Sequence, residues 1–257
     1  MYDRDDAWMM KKIFHLSDHA LIRMVNRLFQ TEYEDGESVQ KEWKEQDAIC
    51  VCLTIGCANR YEFRVRRLEG CFQILAEDLG CLFYYEDAAA HSDIRLQEPS
   101  MDYFGYNTKE KYCTTLEFSG HEQIILPIYA ITLCDESTWK LEEAGLILFL
   151  PFLFYCFGAR AEPPRQRQES LKCFVIRDIV GALHASRTRG DLTAFDVERL
   201  KQCCRGMLWR TLAGEYWMQN LELQELMLEA LGPDIGYLEY IHEKELKEAR
   251  KHCVRRK

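Results

Sequence analysis

Within the segment Asn59 to Arg67, polar and apolar residues alternate from Arg60 to Arg66, with Tyr61, Phe63 and Val65 on one side of an extended segment and Arg60, Glu62, Arg64 and Arg66 on the other. The alternation predicts a strand whose apolar edge enters a core and whose charged edge lines a surface or cleft. Ile49 to Ile55, I-C-V-C-L-T-I, reads as the preceding strand, and Gly56 to Asn59 as the turn that joins the two into a hairpin. Upstream, Asp5 to Phe29 carries apolar residues at helical spacing, among them Trp8, Met9, Ile13, Phe14, Leu21, Ile22, Val25 and Leu28. That spacing predicts two amphipathic helices broken near Ser17 and Asp18, either of which suits an N-cap.

Downstream, Cys71 to Leu79 reads as a helix and Tyr84 to His121 as a mostly irregular, polar stretch. Gln123 to Cys134 reads as a strand that Pro127 assigns to an edge or a bulge. From Leu141 the periodicity is helical: the apolar run Ala144 to Ala159, then Leu171 to Ser186, then Thr193 to Leu212 opened by a Thr193-x-x-Asp196 cap signal, then Tyr216 to Leu231 stopped by Gly232-Pro233. Arg160 to Gln168 reads as a proline-rich loop and Tyr237 to Lys257 as a charged terminal helix. The order of elements fits an α/β fold, or α+β, with an α/β core over residues 1–135 and a helical region over 136–257 packed on it.

Composition narrows the function classes. The chain has 257 residues, 47% of them hydrophobic and 12% aromatic, enough to bury a substantial core. A net charge of -9 argues against coating nucleic acid by bulk charge, although a local basic patch can still grip phosphate. The twelve cysteines include no C-x-x-C pair, and Cys50-x-Cys52 and Cys203-Cys204 lack structural-zinc spacing. The acidic opening M-Y-D-R-D-D is unlike a secretory leader, so buried free thiols in a reducing, cytoplasmic compartment are expected. The run Ala144 to Ala159 falls short of the about 18 residues of a membrane span and contains Pro151, which predicts a buried helix and no membrane partner. If its Leu146 to Phe157 face were open, it would instead assemble two copies into a homodimer.

Several segments, taken in order, resemble the Rpn family of recombination-promoting nucleases and transposases, a branch of the PD-(D/E)XK nuclease superfamily. The carriers are D-D-A-W-M-M-K-K-I-F, A-L-I-R-M-V-N-R-L-F-Q-T-E-Y, the hairpin ending in R-Y-E-F-R, the strand L-P-I-Y-A-I-T-L, and L-E-E-A-G-L-I-L-F-L-P-F-L-F-Y-C-F. The resemblance spans most of the chain and implies a mixed central sheet flanked by helices. It further implies DNA as the partner and Mg²⁺- or Mn²⁺-dependent hydrolysis of phosphodiesters. In active relatives an Asp before the first hairpin strand and an E-x-Q on the second hold the metal, because clustered carboxylates bind such cations and the third group positions the attacking water.

Carried onto this chain, the Asp falls on Asp47, with Cys50 as the alternative; the Glu falls on Glu62 and the Gln on Arg64. A second alignment of equal strand parity puts Arg64 and Arg66 on the two active-site positions and leaves no catalytic carboxylate. Arginine is always protonated and cannot ligate a metal, though it can stabilise charge on phosphate. Two outcomes follow from the resemblance: a nuclease using Asp47, Glu62 and Arg64, or a catalytically dead member that binds DNA or a protein. Arg60, Arg64, Arg66 and Arg67 form the candidate nucleic-acid stripe, against ordinary pairing with the acidic loop Glu32 to Glu37. Gln73 or Glu77, on the expected helix, is a candidate migrated ligand. Asp5 and Asp6 read more simply as helix caps. His15 and His19, spaced i, i+4, lack a third ligand. No Ser-His-Asp grouping, P-loop or G-x-G-x-x-G is present, so acyl transfer and nucleotide binding have no support.

Overall fold

The structure is a computed structural model that describes residues 4–45, 49–57, 59–68, 70–79, 109–117, 123–134 and 138–232. Two helices, α1 (Arg4–Ile13) and α2 (Asp18–Phe29), precede six strands: β1 (Val39–Glu45), β2 (Ile49–Ile55), β3 (Asn59–Leu68), β4 (Cys71–Asp78), β5 (Lys109–Glu117) and β6 (Gln123–Leu133). The helical half comprises α3 (Thr138–Glu143), a 3-10 segment Ile147–Phe152, α4 (Leu153–Gly158), α5 (Pro164–Cys173), a π-helical stretch Phe174–Val180, α6 (Gly181–Thr188), α7 (Ala194–Leu212), a 3-10 turn Tyr216–Gln219 and α8 (Leu221–Leu231). The fold is α+β.

The strands form one sheet in the order β1-β2-β3-β4-β6-β5, and every neighbouring pair is antiparallel. The mixed sheet implied by the resemblance would need a parallel pair, and the described strands contain none. Hairpins supply the reason: β1 to β4 follow one another through short turns, and short turns join only antiparallel neighbours.

One face of the sheet is apolar. Val51, Leu53 and Ile55 of β2, Tyr61, Phe63 and Val65 of β3, and Phe72, Ile74 and Ala76 of β4 are all buried on it. Phe14, just after α1, packs on Phe63 at 5.6 Å between ring centroids, Phe29 of α2 on Tyr61 at 4.8 Å, and Phe152 on Phe72 at 5.6 Å. Residues from both expected regions join a single buried cluster, so the helical half covers the sheet. The apolar run forms the 3-10 segment and α4, and from Leu146 to Phe157 only Tyr155 is not fully buried. This segment packs into the chain's own core, so the open Leu146 to Phe157 face that the homodimer reading needs is absent from it. Among the described residues no helix is long and apolar enough to cross a membrane.

Ser17 caps α2 by accepting from Ala20 N, and Thr193 and Asp196 close the capping box of α7. Asp196 does more than its motif promised. It accepts from the backbone N of Ser17 at 2.9 Å and from its hydroxyl at 2.7 Å, and also from Thr193 N at 2.9 Å and Thr193 Oγ1 at 2.6 Å. One buried carboxylate thus joins two helix N-termini from opposite ends of the sequence. Burial alone would raise its pKa, but the bonds from Thr193 and Ser17 outweigh burial and hold it below the ordinary carboxylate value.

Four elements differ from expectation. Cys71 to Asp78 is the central strand β4 and not a helix; Cys71 to Ala76 are buried on both faces, so the alternation that marks a half-exposed strand is missing. β1 went unpredicted because V-Q-K-E-W-K-E is a polar edge strand, whose Lys41 reaches off the core face to Leu16 O and Asp18. β5 lies in the stretch expected to be irregular, and α5 begins at Pro164 inside the expected loop, with proline in the first turn where its missing N–H costs nothing. The tail expected to be helical lies outside the described residues.

Candidate functional site on the polar face of the sheet

The parity read from the sequence holds in β3: Tyr61, Phe63 and Val65 are buried, and Arg60, Glu62, Arg64 and Arg66 are partly exposed on the opposite face. Residues directly opposed across an antiparallel pair share a face. Cys52 therefore stands beside Glu62 and Cys50 beside Arg64 from β2, while Glu77 opposes Glu62 and Gln73 opposes Arg66 from β4.

Two carboxylates facing each other across adjacent strands repel, and Arg64 resolves the repulsion. Its Nε lies 2.9 Å from Glu62 Oε1, an ion pair without a well-formed hydrogen bond, and its Nη2 donates to Glu77 Oε1. The three side chains are only 23%, 11% and 15% exposed for Arg64, Glu62 and Glu77, so their attraction is screened less than at an open surface. Arg60 is engaged in the same way, 3.0 Å from Glu42 Oε2, with its Nε donating to Cys52 Sγ at 2.7 Å. Gln73 turns away and donates to Thr132 Oγ1 at 3.1 Å.

Arg67 falls on the other face, as its place in the alternation requires. Its Nη2 is 3.1 Å from Asp6 Oδ1 and its guanidinium stacks 3.7 Å over the Tyr155 ring, whose hydroxyl also donates to Asp6. Burial, then the bond to Asp6 and its charge, push the Tyr155 pKa upward despite the nearby Arg67. Asp6 is buried at 6% exposure, which corrects its reading as a simple cap: it is the buried anion paired with the more open Arg67. The Asp5 side chain lies outside the described residues.

Asp47 also lies outside the described residues. Its strand neighbours Glu45 and Ile49 pair with each other, and Ile49 pairs with Val65, whereas Glu62 pairs with Cys52, three positions further along β2. Three residues of strand span roughly 10 Å. Cys50, the alternative for that position, is a buried thiol opposite Arg64. His15 and His19 do not converge: His15 is exposed beside Trp43, and His19 Nδ1 is 3.1 Å from Asp35 while its Nε2 is 2.9 Å from Gly190 O.

The described donors do not by themselves fit a divalent metal. An Mg²⁺ ion needs carboxylate oxygens at about 2.0–2.1 Å. The facing carboxylates here, Glu62 and Glu77, already hold a guanidinium between them, and among the described residues no group of three His, Cys, Asp or Glu side chains is arranged to bind an ion. The sequence missed Glu77 as a strand residue because β4 hid its period. Its position opposite Glu62 follows once the β3–β4 hairpin is recognised. Family models, curated proteins and solved structures give no match to this chain.

Proposed function

We propose that this chain is a catalytically silent relative of the Rpn-type PD-(D/E)XK nucleases, working as a non-catalytic protein-binding module. The ordered segments of the sequence support the kinship. The observation that carries the silence is Arg64 seated between Glu62 and Glu77, a fixed internal cation where a metal-dependent enzyme needs an exchangeable one. A protein partner is favoured over DNA because Arg60, Arg64 and Arg67 each have a carboxylate partner within the chain, and the net charge of -9 opposes a polyanion.

The test incubates the purified chain with supercoiled plasmid in Mg²⁺ and in Mn²⁺ and follows gel retention of a linear duplex at low and at about 0.15 M salt. Intact plasmid and no retention at the higher salt are expected. Nicking that disappears in Glu62→Gln would return the chain to the active nucleases, and retention that weakens steeply with salt would make DNA the partner.

A further inference from the structure

Cys71 opens β4, and Cys134 follows the last residue of β6. Because Phe72 pairs with Leu133 in this antiparallel ladder, the next opposed positions are Cys71 and Cys134. Opposed residues in such a ladder have Cα atoms about 4.5–5.5 Å apart, inside the about 4.4–6.8 Å that a disulfide spans. The Cys71 and Cys134 side chains lie within hydrogen-bond reach of each other. Neither is in a disulfide, Cys71 is buried at 8% exposure, and Cys134 is more open to solvent.

We infer that Cys71 and Cys134 form a two-thiol modification site that takes small disulfides of the glutathione class and closes to an intramolecular disulfide between β4 and β6. Three neighbouring cysteines are placed differently. Cys50 and Cys52 lie on β2, separated from β4 by the whole of β3, while the Cys156 thiol is committed to Leu133 O at 3.2 Å. Burial and the bond to Cys134 push the Cys71 thiol up to about 12, which makes it a poor first nucleophile; its place beside Cys134 is what gives it the second, intramolecular step.

The chemistry balances as ordinary thiol–disulfide exchange. The Cys134 thiolate attacks one sulfur of glutathione disulfide, forming a mixed disulfide and expelling one glutathione thiolate. Cys71 gives its proton to solvent and attacks Cys134 Sγ, forming the protein disulfide and expelling the second glutathione. Two protein thiols are oxidised and one small disulfide is reduced to two thiols. The closed bond would cross-link β4 to β6 at one end of the sheet and span the stretch of chain between them.

The experiment equilibrates the full chain with glutathione disulfide, blocks the remaining thiols with an alkylating agent and maps peptides by mass without reduction. The expected result is a cross-linked Cys71–Cys134 peptide, with both positions losing alkylation together. Cys71→Ser should stop the reaction at a glutathione adduct on Cys134, and Cys134→Ser should leave Cys71 alkylated. The unsubstituted chain decides the matter even if a variant fails to fold. An adduct on Cys134 with Cys71 still alkylated, a cross-link to another cysteine, or full alkylation of both would each overturn the inference.

Discussion

Arg64 is the residue on which most turns. It lies two positions after Glu62, where the resembled family places glutamine, and its guanidinium holds Glu62 and Glu77 together. Removing the cation leaves two partly covered carboxylates opposed. Arg64→Met should therefore cost about 2–4 kcal/mol, since stripping one partner from a covered ion pair exposes the uncompensated charge of the others. Adding Glu62→Gln and Glu77→Gln should restore most of that loss, and urea unfolding of the two variants measures both effects. Asp196 gives a second expectation. Its pKa is lowered by folding, so its contribution is fully present above the unfolded value of about 4 and is lost as pH falls through the lower folded value. The stability gap between the wild-type chain and Asp196→Asn, followed by urea midpoints from pH 6 downward, should be widest above pH about 4 and shrink below it.

At the scale of elements, what decided legibility was whether one face of an element was wet. β3, α2 and the first half of α7 show their period because one side of each meets solvent, and the helix caps Ser17 and Thr193 are visible in the sequence. β4 was not legible because residues on both of its faces are buried, and β1 because an edge strand tolerates charge on either face. The same limit concealed half of the candidate site. Glu62 could be named from its strand, but Glu77 becomes its neighbour only through the pairing of β3 with β4, and Asp6 meets Arg67 and Tyr155 only through tertiary packing. Packing between elements makes its own prediction at Gly206 on α7. A Cβ there would fall 2.7 Å from Trp8 Cη2, and the same indole is stacked 3.7 Å from the Arg210 guanidinium. Gly206→Ala should force α1 away from α7 and lower stability by about 1–3 kcal/mol in thermal or urea unfolding, despite the better helix propensity of alanine.

For the whole molecule, the sheet carries two unlike faces with different tasks. The apolar face takes the helices through a run of aromatic contacts centred on Phe14, Phe63 and Phe149, whose centroids lie 5.6–6.5 Å apart. Phe149→Ala should accordingly cost about 3–5 kcal/mol, the range for emptying a fully buried phenylalanine site. The polar face carries its charges in pairs, and the Arg64 guanidinium stands between the Glu62 and Glu77 carboxylates, where a bound metal ion would have to displace it. Titration of the purified chain with Mn²⁺, read by the electron paramagnetic resonance of the free ion, tests this most directly. The account predicts no stoichiometric uptake at micromolar metal. Uptake of one ion per chain that is lost in Glu62→Gln would contradict it.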